Sequence, residues 1–153
     1  MTRLARGRLK VIPDGWSAHA RHTAYGFLTG DCTAYTVGEP GDWVPGGNNG
    51  QDNPVYVDKW DHAPCSAQFL TQSSRPVTVA DGVEIIASHR ISVPIASTWL
   101  HYGDTIQILD NPDDPHLNGR EFQVLIAESG TTNWTRDYLC QDVNGSQPSA
   151  VAA

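Results

Sequence analysis

The sequence predicts a mainly β protein, a small antiparallel β-barrel with one N-terminal α-helix and a long flexible loop between early strands. Three observations predict it. Residues 83–143 form a series of short segments in which apolar and polar side chains alternate, with strong turn signals between them. The chain carries 14 Gly and 10 Pro, a turn-rich composition that suits strands better than helices. Only one stretch, near the N-terminus, spaces its apolar residues for a helix. A chain of 153 residues fits one domain and can bury a core without metal or disulfide staples.

The expected division is a basic arm over 1–13, a single barrel domain over 14–143 and a flexible tail over 144–153. Arg3, Arg6, Arg8 and Lys10 give the arm four positive charges, and all 17 Asp and Glu lie beyond it with the other 6 basic residues, so within a chain of net charge −7 the body is the acidic part. Such a body repels nucleic acid through its net field, which disfavours a stable, sequence-reading DNA binder. It does suit a surface past which DNA slides without adhering.

The helix is expected to open at Asp14-Gly15-Trp16-Ser17, with Asp14 or Ser17 as its cap, and to end between Gly26 and Gly30. Trp16, Ala20, Ala24, Phe27 and Leu28 form its apolar face, for packing on the barrel or on a neighbouring subunit. His19 and Arg21 to Thr23 form the wetter face. Residues 31–37 read as a strand. The longest irregular stretch, 38–53, follows, and loops of this length are usually functional or disordered. Its exposed aromatic, Trp43, is a candidate anchor for a partner.

Residues 54–60 and 64–70 read as two strands, and residues 77–79 as a short edge strand. Residues 83–93 read as one continuous strand, with Val83, Ile85, Ala87, His89, Ile91 and Val93 on the inward side and Ile86 breaking the pattern. After a turn at Tyr102-Gly103-Asp104 come a strand over 105–108, an Asp- and Asn-rich loop ending at Gly119, a strand with Phe122, Val124 and Ile126 inward, and a last strand from about Trp134 to Val143.

A search for chemistry leaves no catalytic constellation. His19 and His22 share a helix face but lack HExxH spacing or a third ligand. Asp61 and His62 are neighbours on an extended strand and therefore point apart. No serine sits in G-x-S-x-G, and no glycine-rich phosphate loop leads into a helix. Asp110 to Asp114 lack the Gly and distal Glu of a calcium loop and read as a capped turn. His89 reads as a core histidine. Cys32, Cys65 and Cys140 include no CxxC and read as small buried hydrophobes in a reducing compartment. The basic start is not followed by an apolar signal region, and no apolar run reaches membrane-span length. The expectation is a non-enzyme with no catalytic residue, metal or cofactor.

The order of the pieces carries a resemblance. A short amphipathic helix (Ile12 to Thr23) leads directly into a strand beginning Asp31-Cys32-Thr33, and a long loop follows. Then come Tyr102-Gly103-Asp104-Thr105-Ile106-Gln107-Ile108 and Asp114-Pro115-His116-Leu117-Asn118-Gly119-Arg120-Glu121-Phe122-Gln123-Val124. This pattern, over about residues 12–143, resembles the head-closure or head-to-tail stopper (connector) proteins of tailed double-stranded DNA phages, particularly those of actinobacteria. The resemblance implies a virion structural protein of the neck, at the head–tail junction, assembled in the host cytoplasm. Copies would form a homo-oligomeric ring, six-fold in preference to twelve-fold, below the portal and adaptor and above the tail terminator or tail tube. The ring closes the channel after packaging, with genomic double-stranded DNA in its lumen, no sequence recognition and no membrane contact.

In that family a long loop between early strands can serve as the gate. The matching stretch here offers Glu39, Asp42, Trp43, Asn48, Asn49 and Asp52, whose carboxylates would keep DNA from adhering while the loop's bulk blocks it. The arm residues Arg3, Arg6, Arg8 and Lys10 are candidates for docking on an acidic face of the adjoining ring. The alternatives are another neck component, adaptor or tail terminator, and, from a different class, a small barrel that binds single-stranded nucleic acid.

Overall fold

The structure, a computed structural model, describes residues 15–38, 56–70, 76–78, 82, 84–130 and 133–143. In chain order these form α1 (Trp16–Tyr25), β1 (Gly30–Val37), β2 (Tyr56–Phe69), β3 (Pro76–Thr78), β4 (Glu84–Ile86), β5 (His89–Pro94), β6 (Thr105–Asp110), a 3-10 turn (Pro115–Leu117), β7 (Glu121–Glu128) and β8 (Thr135–Asp142). Six strands close an antiparallel barrel in the order β1-β2-β5-β8-β7-β6, with β6 returning to β1, while β3 and β4 form a separate two-stranded sheet. The predicted class, a mainly β barrel with one N-terminal helix, is the class observed.

Closure requires the strands to coil, and β2 supplies much of the bend. Two strands were expected over 54–70, but β2 is a single strand of 14 residues. Its first part pairs with β1, from Val37↔Tyr56 to Gly30↔Cys65, and its last part pairs with β5, from Ser66↔Ser92 to Phe69↔His89. Register shifts on either side of Ala34 give β2 extra residues relative to β1, and such bulges bend the strand that carries them. The Thr33 hydroxyl donates to the Trp60 carbonyl at 2.8 Å where the ladder shifts. Pro64, the first residue of the second expected strand, sits where only one edge of β2 is paired, so its missing N–H is tolerated.

The expected continuous strand over 83–93 is divided. Ser88 N–H donates to the Cys140 carbonyl and Ser88 carbonyl accepts from Leu70 N–H, both at 2.9 Å. The Ser88 hydroxyl also accepts from Asp142 N–H at 3.0 Å. These bonds tie Ser88 to the barrel, so β5 runs on as a barrel strand while β4 turns away to pair with β3. Of the expected inward face, Ala87, His89, Ile91 and Val93 are buried and Ile85 is half-buried, while Val83 lies outside the described residues.

The inward assignment of Ile126 is corrected. A register shift between Val124 and Ile126 bulges β7 at Leu125. Leu125 is thereby buried with Ala87 beneath Ile85, Leu70 and Leu139, and Ile126 faces outward. The main core fills the barrel with Cys32, Ala34, Cys65, Ile91, Val93, Ile106, Ile108, Phe122, Val124, Tyr138 and Cys140, and with Leu100 and Leu117 from the loops. Tyr138 is fully buried, and its hydroxyl accepts from Leu100 N–H at 3.1 Å. That bond satisfies a buried polar atom that would otherwise be costly.

His89 is the core histidine expected. Its Nδ1 lies 2.9 Å from the Ser88 hydroxyl, and its ring lies 5.4 Å from Phe69 and 4.7 Å from Phe122. Burial holds its pKa below the ordinary value; Arg120 acts in the same direction, and Asp142 and Asp114 oppose it. Below an ordinary imidazole pKa of about 6.5 the unfolded chain takes up a proton that folded His89 resists. Its contribution to stability is therefore present above that pH and lost as the pH falls through it. Denaturation from pH 7.5 down to 5.5 should show falling stability, and His89→Gln should flatten the slope. An unchanged slope in the variant contradicts this origin.

The three cysteines, well separated in sequence, come together inside the barrel as free buried thiols. The Cys65 thiol is pushed up, first by a hydrogen bond with the Cys32 thiol and then by burial, and burial pushes Cys140 up. Thiols that are buried and held protonated are poor nucleophiles. In the native protein none should react with maleimide within the time that labels all three in denaturant, and rapid native labelling, read as a mass shift, contradicts the packing.

Candidate functional site

The residues singled out for a gate, Glu39, Asp42, Trp43, Asn48, Asn49 and Asp52, lie outside the described residues, as do Arg3, Arg6, Arg8 and Lys10 of the arm. The structure does define where the 39–55 segment is rooted. Val37 pairs with Tyr56, so the segment leaves and re-enters the barrel at one place. The Tyr35 ring packs edge-on against Tyr56 at 5.2 Å, and its hydroxyl donates to Glu121 at 2.8 Å. Burial and the Glu121 carboxylate push the Tyr35 pKa up, so this donor stays protonated. At this root Val37, Tyr56 and Val57 are exposed apolar side chains.

A second apolar surface lies on α1. Gly15 stands at the N-cap with no side-chain cap bond. Ser17, one of the two expected caps, lies inside the helix, and Asp14 is outside the described residues. His19 and Arg21 to Thr23 are exposed as expected, while the apolar side is covered only in part: Leu28, just past the helix, is buried, Ala20 and Ala24 are half-buried, and α1 itself has no fully buried residue. Trp16 meets Trp134, just ahead of β8, with ring centroids 5.2 Å apart, and Phe27 is 73% exposed. Between helix and barrel His19, Ala20, Thr23, Ala24, Phe27 and Trp134 line a groove of about 450 Å³. Nearby in sequence, the Arg136 guanidinium lies 4.5 Å above the Trp99 ring.

One polar pairing escaped the sequence reading. His62 does not engage Asp61; its Nδ1 lies 2.6 Å from Asp31 Oδ2 across the β1–β2 ladder. The only signal available was register, because Asp31 pairs with Pro64, two residues from His62 on the same strand. Both side chains are well exposed, so the contact is a solvated pair that helps to clamp two strands. The Asp110–Asp114 segment is the capped turn expected: Asn111 Oδ1 accepts from Asp113 and Asp114 N–H, and Asp114 Oδ1 accepts from His116 N–H. Among the described residues no group of three or more His, Cys, Asp or Glu side chains could hold a metal ion, and no helix is long and apolar enough to cross a membrane.

One family model matches residues 20–141, from the middle of α1 almost to the end of β8, and it is described as a family of unknown function (DUF6093). No curated protein and no solved structure matches the chain.

Proposed function

We propose, from the premise that the chain belongs to the family of unknown function DUF6093, that it is a virion structural protein of the phage neck. In this reading copies assemble into a ring that closes the portal channel after DNA packaging and receives the tail. The observation that carries the proposal is a closed, acidic barrel with large apolar side chains left on its outside. Phe27, Phe69 and Ile86 are 73%, 70% and 66% exposed. The barrel is closed and most of its strand edges are paired, so contacts with other subunits can be made by side-chain surfaces. Exposed large apolar residues supply such surfaces, and they are a liability for a chain that works alone. The net charge of −7 suits a lumen through which DNA passes without adhering.

The anchored root at Val37 and Tyr56 supports the gate assignment, because a plug must be held at both ends while its middle moves. Deleting residues 41–51 removes bulk and leaves that root in place. Mutant particles should package DNA and then lose it, read as DNase-sensitive genomes and a steep fall in infectivity. Deletion particles that retain their DNA and infect normally contradict the gate. The nucleic-acid-binding alternative is separated by titrating labelled single-stranded oligonucleotides at low salt. Tight binding that weakens steeply as salt rises favours the alternative over the neck reading.

A further inference from the structure

We infer that the groove between α1 and Trp134 receives the β3–β4 hairpin of a second copy of this chain, with Ile86 as the inserted side chain and Glu84 turned toward the basic surface of α1. The inference rests on the ring reading above and names the two surfaces that join neighbouring subunits. The groove is apolar along Ala20, Ala24, Phe27 and Trp134 and is open to solvent, since Phe27 is 73% exposed. At about 450 Å³ it has room for a branched aliphatic side chain and the backbone behind it. The helix that forms its wall carries His19, Arg21 and His22 and no carboxylate, in a chain whose net charge is −7.

The hairpin has the complementary character. Ile85 packs inward on Ala87 and Leu125, and strand geometry then sends Glu84 and Ile86 together to the opposite face. Ile86 is 66% exposed, with Glu84 exposed beside it. An aliphatic knob flanked by a carboxylate thus matches an apolar slot beside basic side chains, and opposite charge fixes which surfaces meet. Groove and hairpin share no residue, so each copy can give one and receive the other. That is a heterologous contact, the kind that generates rings.

Disulfide trapping in the full-length chain tests the contact. Ile86→Cys and Phe27→Cys are placed together on one chain; both positions are exposed, and the three native thiols are buried and do not compete. Mild oxidation should give a ladder of covalent multimers from the double variant, a crossed dimer from a mixture of the two single variants, and no ladder from either single variant alone. Without the new cysteines, Ile86→Glu should weaken self-association by about tenfold or more, as loss of a central apolar anchor does. Absence of the ladder while the wild-type chain sediments as an oligomer overturns this contact and leaves the ring reading standing. Absence of the ladder with a wild-type chain that stays monomeric at every concentration overturns both. An Ile86→Glu chain that associates like the wild type also overturns the contact.

Discussion

Replacing Phe122 with alanine should lower the free energy of unfolding by about 3–5 kcal/mol, the usual cost of emptying an aromatic site in a core. Phe122 is fully buried, pairs with Ile106 on β6 and Asp142 on β8, and places its ring 4.7 Å from His89. Truncation removes contacts to three strands at once. Those strands are fixed by ladders on both sides and cannot collapse into the space. Urea unfolding monitored by tryptophan fluorescence measures the loss, with an unchanged m-value expected. The control is Phe27→Ala, which removes the same side chain from an exposed site and should shift stability by no more than about 0.5 kcal/mol. A Phe122→Ala loss no larger than the control's contradicts the barrel core described above.

Arg120→Met should cost about 2–3 kcal/mol. The Arg120 guanidinium donates to Asp142, whose side chain is only 10% exposed at the end of β8. Loss of the guanidinium removes an opposite charge beside this carboxylate, and breaking a buried pair costs about 3–5 kcal/mol. Arg120 itself is 31% exposed, so solvent screens part of the effect and the lower figure is the better expectation. Combining Arg120→Met with Asp142→Asn should return part of the loss, because the carboxylate's charge is then removed with its partner's. Additive losses in the double variant, measured by the same urea titration, contradict direct coupling of the two side chains.

Both residues belong to the stretch that was most legible in the sequence, and the structure explains why. In Gly103-Asp104-Thr105-Ile106-Gln107-Ile108 the glycine takes φ +93°, a conformation that a side chain would strain. Asp104 is buried and accepts from His101 N–H at 2.8 Å, and Ile106 and Ile108 fill the core. In the second half Asp114 caps the 3-10 turn, Pro115 opens it, Leu117 is buried and Gly119 takes φ +78°. Arg120 then holds Asp142, and Phe122 and Val124 enter the core. Every position of the pattern has a local task in turning or packing the β6–β7 hairpin. These tasks shape a barrel and say little of its partners, so the resemblance predicts architecture better than it predicts a role.

The parts that were not legible depend on pairing between distant segments. The bulge at Leu125 exists because β7 meets β8 with one residue too many, which reversed the expected orientation of Ile126. The division at Ser88 depends on Leu70, Cys140 and Asp142, which are distant in sequence. The continuity of β2 through Pro64 depends on which of its edges has a neighbour. His62 finds Asp31 through strand register and not through its neighbour Asp61. Alternation identifies a strand's two faces, but where that strand bends, and what it touches, is set by its neighbours. The apolar side of α1 was legible as a surface to be buried, and the barrel covers it only in part, leaving Phe27 exposed.

Immunogold labelling of particles, released by cells that express this gene from its native genome, tests the central claim most directly. The account predicts that the chain copurifies with particles and that gold marks one position, the junction of head and tail. Particles that lack the chain, or gold spread over the capsid surface or along the tail, would contradict it.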